Sequence, residues 1–144
     1  MTTQTPATMT RTVSGFGPLQ IAITILVAAT ALIHLFLGAN LTMALMGPTP
    51  QDVGLSEPLA VILAGLFLCN FAGYLILNAA LYLPALRRYQ NVTRAVLIGY
   101  TALTIVAYFA IDQGQSLNPF GLADKAIEAT IIGLLFIDGR RARA

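Results

Sequence analysis

Two residues in this chain could do chemistry inside an apolar environment: His34, within the long apolar stretch 19–46, and Glu128, within the stretch 122–137. An ionisable group in a hydrocarbon core costs about 2.5 to 3.5 kcal/mol even on the lenient insertion scale unless it is paired or wetted. Each therefore needs a reason to be there. A hydrogen bond from imidazole to carboxylate would satisfy both and fix helix register. Because histidine changes charge near neutral pH, the same pair could instead bind a proton or a small solute. A third chemistry is axial ligation of a haem or chlorophyll by His34, with Thr30 and Gly38 one turn to either side admitting a flat macrocycle. The chain has a single histidine, so a second axial ligand would have to be Met, water or another subunit. No cofactor and no metal site is expected. The chain shows no metal-ligand spacing, phosphate loop or Ser/His/Asp set, which ranks an enzyme lowest.

Polar groups recur around this pair at helical spacing. Asn70, Tyr74, Asn78 and Tyr82 fall every fourth residue on one helix, and Tyr100, Thr104 and Tyr108 do so on the next, so the two stripes are expected to face each other. Asn70, Asn78 and Tyr100 would line a polar interior with His34 and Glu128. Asp124 and Lys125 are read as a charged cluster at the outer face, where an acid suits the positive end of the fourth helix. Lys125 lies three residues from Glu128 and could pair with it in place of His34. Small residues form separate stripes. Gly65, Cys69 and Gly73 repeat at four, and Gly38 and the Ala129/Gly133 pair offer further places for close helix packing. The single cysteine excludes an internal disulfide.

The elements that carry these residues are four long apolar runs, 19–46, 59–83, 92–111 and 122–137. Each is long enough, or nearly so, to cross a core of about 30 Å at about 1.5 Å per residue. With 144 residues, 57% hydrophobic and only 10% charged, and a mean hydropathy of +0.78, little length remains for a soluble domain. A net charge of +2 and a pI near 9.0 are topology signals and not a nucleic-acid surface, because the cations sit beside the spans. The expected fold is an all-α, integral membrane, four-helix antiparallel bundle: a tail over 1–18, one domain over 19–138 with spans at about 19–39, 58–83, 92–111 and 121–138, and a basic tail over 139–144. The first run exceeds the roughly 7 to 15 apolar residues of a secretory signal, so it reads as a permanent span. As one helix it would reach about 42 Å. A break at Gly38, Ala39 and Asn40 is the favoured reading. Arg11, Arg87, Arg88, Arg94, Arg140, Arg141 and Arg143 all fall on the side of the two termini, and Lys125 falls opposite. Both termini are therefore expected to be cytoplasmic, in a prokaryotic plasma membrane.

The chain resembles a family of small four-helix membrane proteins of unknown function, associated mainly with haloarchaea and with some bacteria. Ile33-His34-Leu35 with Leu37-Gly38, Leu63-Ala64-Gly65, Arg87-Arg88, Tyr100-Thr101-Ala102, and Asp124-Lys125 with Glu128 carry the resemblance, which covers nearly all of the chain after Leu19. It implies that His34, Asp124 and Lys125 belong to a common architecture. It supplies no activity or cofactor. The family often has Gln where this chain has Glu128, which puts an essential carboxylate there in doubt.

Two functions are expected from these residues. The first is a non-enzymatic accessory or scaffold subunit in the lipid bilayer, associating as a homo-oligomer or within a larger complex through its small-residue faces. The alternative is a small binder or permease-like protein for a proton, small solute, isoprenoid or pigment, built around His34 and Glu128.

Overall fold

The computed structural model describes residues 17–46, 55–112 and 119–142. These residues form four α-helices: α1, Pro18–Met46; α2, Glu57–Tyr82; α3, Gln90–Asp112; and α4, Pro119–Arg141. A 3-10 segment, Pro84–Tyr89, joins α2 to α3. Among the described residues there is no strand.

Local chemistry explains the ends. Pro18 opens α1, and the Gln20 side chain accepts a hydrogen bond from the Gly17 N–H at 3.2 Å, one half of a capping box. Ser56 stands at the N-cap of α2, as its sequence suggests, with Pro58 in the first turn where a missing donor costs little. Its hydroxyl makes no capping bond; the Ser56 carbonyl accepts from Ala60 N instead, at 3.0 Å. Pro84 has no backbone N–H with which to continue α2. The Leu83 N–H makes the last bond, to the Ala79 carbonyl at 2.9 Å.

The expected break in α1 does not occur: the helix runs unbroken through Gly38, Ala39 and Asn40 to Met46. Two side chains bond back onto the helix there, Asn40 Nδ2 to the Phe36 carbonyl and Thr42 Oγ1 to the Gly38 carbonyl, both at 2.7 Å. Gly38 itself is buried against Phe67 and Leu68 of α2, so packing replaces the conformational freedom that a glycine would otherwise introduce. The turn-forming residues Gly114, Asn118 and Pro119 suggest a connector over 113–120, but Pro119 and Phe120 already belong to α4. The remainder of that connector, the leader before Gly17 and the last two residues lie outside the described residues.

Three segments are long and apolar enough to cross a membrane: Pro18–Met46, Glu57–Tyr82 and Pro84–Ile111. They fit a membrane-embedded protein. The fourth helix has the length but not the apolarity, since Asp124, Lys125, Glu128 and Asp138 all lie on it and all are buried within the bundle. Surface chemistry agrees with a lipid setting. Ile25, Leu32, Phe36, Met43, Ile62, Ile76, Leu103, Val106 and Phe136 are all exposed, a pattern that would be a liability in water.

The core sits where the helices converge: Ile23, Val27 and Ala31 from α1, Tyr74 and Leu81 from α2, Leu97 from α3, and Ile131 and Leu135 from α4. α1 packs most extensively on α2, and α4 fills the space between α1 and α3. At one end Phe36 meets Phe120, with ring centroids 6.4 Å apart, and Gly121 admits the Tyr108 ring. At the other end Gly17, Gln20, Gln90, Arg94, Asp138 and Arg141 surround one depression.

Candidate functional site

One stripe of α4 decides what faces the interior. Asp124, Glu128, Ile131, Leu135 and Asp138 alternate at spacings of four and three, the repeat of a single helix face. Ile131 and Leu135 belong in the core, so the carboxylates on the same stripe are carried in with them. Lys125 follows Asp124 inward. The outer-face cluster expected from the sequence is thus corrected: Asp124 is 3% and Lys125 8% exposed. Their place near the start of the helix is right; their direction is set by the stripe.

Lys125 is the hub. Its Nζ donates to Glu128 Oε2 at 2.6 Å and lies 3.0 Å from Asp124 Oδ2, so one ammonium bridges two carboxylates. Each carboxylate uses its second oxygen elsewhere. Asp124 Oδ1 accepts from Thr30 Oγ1 of α1 at 2.5 Å, and Glu128 Oε1 accepts from Tyr74 OH of α2 at 2.9 Å. Tyr74 OH is also 3.0 Å from Thr104 Oγ1 of α3, which lies 2.7 Å from the Thr101 carbonyl. Each hydroxyl has one proton. With Tyr74 donating to Glu128, Thr104 must choose between Tyr74 and the Thr101 carbonyl, so the chain of hydroxyls has two arrangements. All four helices contribute to this network.

His34 is 2% exposed and lies edge-near Phe67 and Tyr74, with ring centroids at 5.9 and 5.6 Å. Its Nδ1 is 2.8 Å from the Thr30 carbonyl. A carbonyl only accepts, so Nδ1 carries a proton, and in the neutral ring Nε2 is then a bare lone pair. That lone pair lies 3.9 Å from Glu128 Oε1, too long for the direct hydrogen bond expected from the sequence. Glu128 is instead held by Lys125 and Tyr74. The reason is reach: Lys125 is three residues away on the same helix, whereas the imidazole is tied back to its own helix.

With both carboxylates ionised, Lys125 charged and the imidazole neutral, the cluster would sum to −1, and one more proton would bring it to zero. A net charge this deep is expensive, because burial in low dielectric penalises an uncompensated ion by several kcal/mol. His34, Asp124 and Glu128 can also bring one ligand atom each to within 4.8 Å of one another, a spacing that could hold a metal ion. The Lys125 ammonium, within 3.0 Å of both carboxylates, already supplies positive charge there.

The other residues singled out by sequence are divided between the interior and the surface. Asn70 and Tyr100 meet, with Tyr100 OH donating to Asn70 Oδ1 at 2.7 Å, and Tyr100 packs edge-on against Tyr74 at 5.2 Å. The stripes of α2 and α3 therefore meet at Asn70, Tyr74, Tyr100 and Thr104, whereas Tyr108 lies against Gly121 of α4. Asn78 stays apart from the cluster, its buried Oδ1 without a hydrogen-bond partner. The two positions flanking His34 are filled, Gly38 by Phe67 and Leu68 and Thr30 by Asp124, so neither opens a flat face beside the ring. Gly73 is covered by Tyr100, whose hydroxyl would lie 2.5 Å from an added Cβ. Gly65, Cys69 and Gly133 are exposed, with nothing within 4 Å of the position of a Cβ at either glycine.

Sequence reasoning missed a second buried ion pair. Arg94 of α3 and Asp138 of α4 meet at 2.7 Å, with side chains 7% and 10% exposed, and Arg94 also donates to Asn91 Oδ1 at 2.9 Å. Reading Arg94 only as a topology signal hid it. The stripe through Asp124, Glu128, Ile131 and Leu135 ends on Asp138 and was the available clue. No known protein family, curated protein or solved structure matches the chain, and the site is therefore read from its own geometry.

Proposed function

We propose that this chain is a four-span plasma-membrane protein with both termini cytoplasmic, and that its buried cluster binds and releases one proton, in the manner of a small proton-responsive binder or permease-like protein. The observation that carries this reading is the approach of His34 Nε2 to Glu128 Oε1, 3.9 Å apart, beside two buried carboxylates that share one ammonium. One proton on either atom turns the approach into an attraction and neutralises the site. The hydroxyls of Tyr74 and Thr104 then offer a path that can reverse its direction. The antiparallel, cytoplasmic-termini arrangement is supported by the gathering of Gly17, Gln90 and Arg141 at one end, the end that also carries Arg87, Arg88 and Arg140, while Asp124 and Lys125 lie toward the other.

The test is infrared difference spectroscopy of the reconstituted protein across a pH step. A carboxylic-acid carbonyl band that disappears as pH rises, is absent in Glu128→Gln and is shifted in His34→Ala is the expected result. Spectra in which neither variant differs from the wild type would remove the reading.

A second reading has its own observation. Gly65 and Cys69 on α2 and Gly133 on α4 face outward with no protein atoms against the glycines, and small residues at such a surface let another helix approach closely. This supports an accessory or scaffold subunit that forms a homo-oligomer or joins a larger complex. Gly65→Leu with Gly133→Leu is expected to shift the assembly to monomer in mild detergent, as read by native mass spectrometry; an unchanged mass would count against it.

A further inference from the structure

We infer that the groove between α3 and α4 at the arginine-rich end is a binding site for an anionic phospholipid, with the phosphate at the helix ends and an acyl chain along the groove. This goes beyond the proton cluster and uses none of its residues. The groove changes character along its length. Asn91, Arg94 and Arg140 line its mouth, and Ala95, Ile98 and Phe136 line the part that runs into the bundle surface. A polar, cationic mouth above an apolar trough is the shape of a lipid and not of a soluble anion.

Charge favours the anionic class. Arg94 is balanced by Asp138, but Arg140 and Arg141 in the last turn of α4 are exposed and form no ion pair among the described residues. Arg141 lines an adjoining depression with Arg94 and Asp138, so among the described residues lining the groove and that depression three cations stand against one carboxylate. Arg94 supplies the second observation. It is 6% exposed, and its Nε has no hydrogen-bond partner even though both terminal nitrogens do. That Nε is buried, 3.6 Å from where a side chain at Gly139 would begin, and both residues line the groove. A phosphate oxygen admitted by a small shift of the Arg94 side chain would complete the donor set of the guanidinium. Basic pockets between spans at the cytoplasmic side are suited to lipid headgroups for the same electrostatic reason.

Native mass spectrometry in mild detergent tests the site, with phosphatidylglycerol, phosphatidylcholine and glycerol phosphate as probes. The expected result is a one-to-one phosphatidylglycerol adduct at least tenfold more abundant than the phosphatidylcholine adduct. Arg140→Gln should lower it by removing charge at the mouth, and Ala95→Phe should lower it by filling the trough with all charges kept. Both positions are exposed, so the fold is expected to tolerate them, and equal unfolding temperatures would verify that. Equal binding of the two lipids overturns the inference. So does an adduct insensitive to Ala95→Phe that glycerol phosphate reproduces, which would mark a soluble-anion site.

Discussion

Lys125→Met is expected to destabilise the protein by about 3 to 5 kcal/mol, the range for removing one partner of a buried ion pair. The methionine fills similar volume, so the loss is electrostatic. It leaves Asp124 and Glu128 buried one turn apart without the ammonium that sits 3.0 and 2.6 Å from them. Mutual repulsion adds to desolvation. Unfolding by a harsh detergent titrated into mild micelles, followed by circular dichroism, gives the difference. A triple variant that also carries Asp124→Asn and Glu128→Gln should recover most of the stability, since neutral groups of the same shape need no counterion. A loss below about 1 kcal/mol in the single variant would show that Lys125 is not the counterion of the cluster.

The second large effect lies at the other end of the bundle. Arg94→Leu strands the Asp138 carboxylate, which the guanidinium holds at 2.7 Å, and is again expected to cost about 3 to 5 kcal/mol. Arg94 also packs on Gly139, with its Cδ 3.1 Å from the place of a Cβ, so part of the loss is contact between α3 and α4. A double-mutant cycle with Asp138→Leu separates the two. The coupling term measures the pair, and the residue of the Arg94→Leu effect in the double variant measures packing. Independent effects of the two substitutions would show that the pair contributes nothing as a pair. Because this site and the Lys125 cluster share no partner, their losses should add.

Much of the candidate site was legible because periodicity is a local property. Asn70 and Tyr74 on one helix and Tyr100 and Thr104 on the next repeat at four, and this spacing alone aligns them; the bonds from Tyr100 to Asn70 and between Tyr74 and Thr104 follow. The lysine three residues before Glu128 was likewise within reach by helix geometry. Direction was harder. Gly65, Cys69 and Gly73 share a stripe, yet Tyr100 covers Gly73 while Gly65 and Cys69 face outward, because helix contact along α2 is decided by which neighbour crosses it and where.

The sequence by itself determined the all-helical class, the long apolar segments, the proline-marked end of α2 and the placing of His34 and Glu128 inside an apolar environment. Each follows from residues close together in the chain: apolar length, helical spacing, or a missing backbone donor. Only the tertiary structure decided that α1 continues past Gly38, because Phe67 and Leu68 of another helix pack there. Only it decided that Asp124 and Lys125 turn inward, that Thr30 and Tyr74 complete the carboxylates, and that His34 stands 3.9 Å from Glu128. These are distances between atoms on different helices, set by the packing of Ile131 and Leu135 against the rest of the core, and no spacing along the chain encodes them.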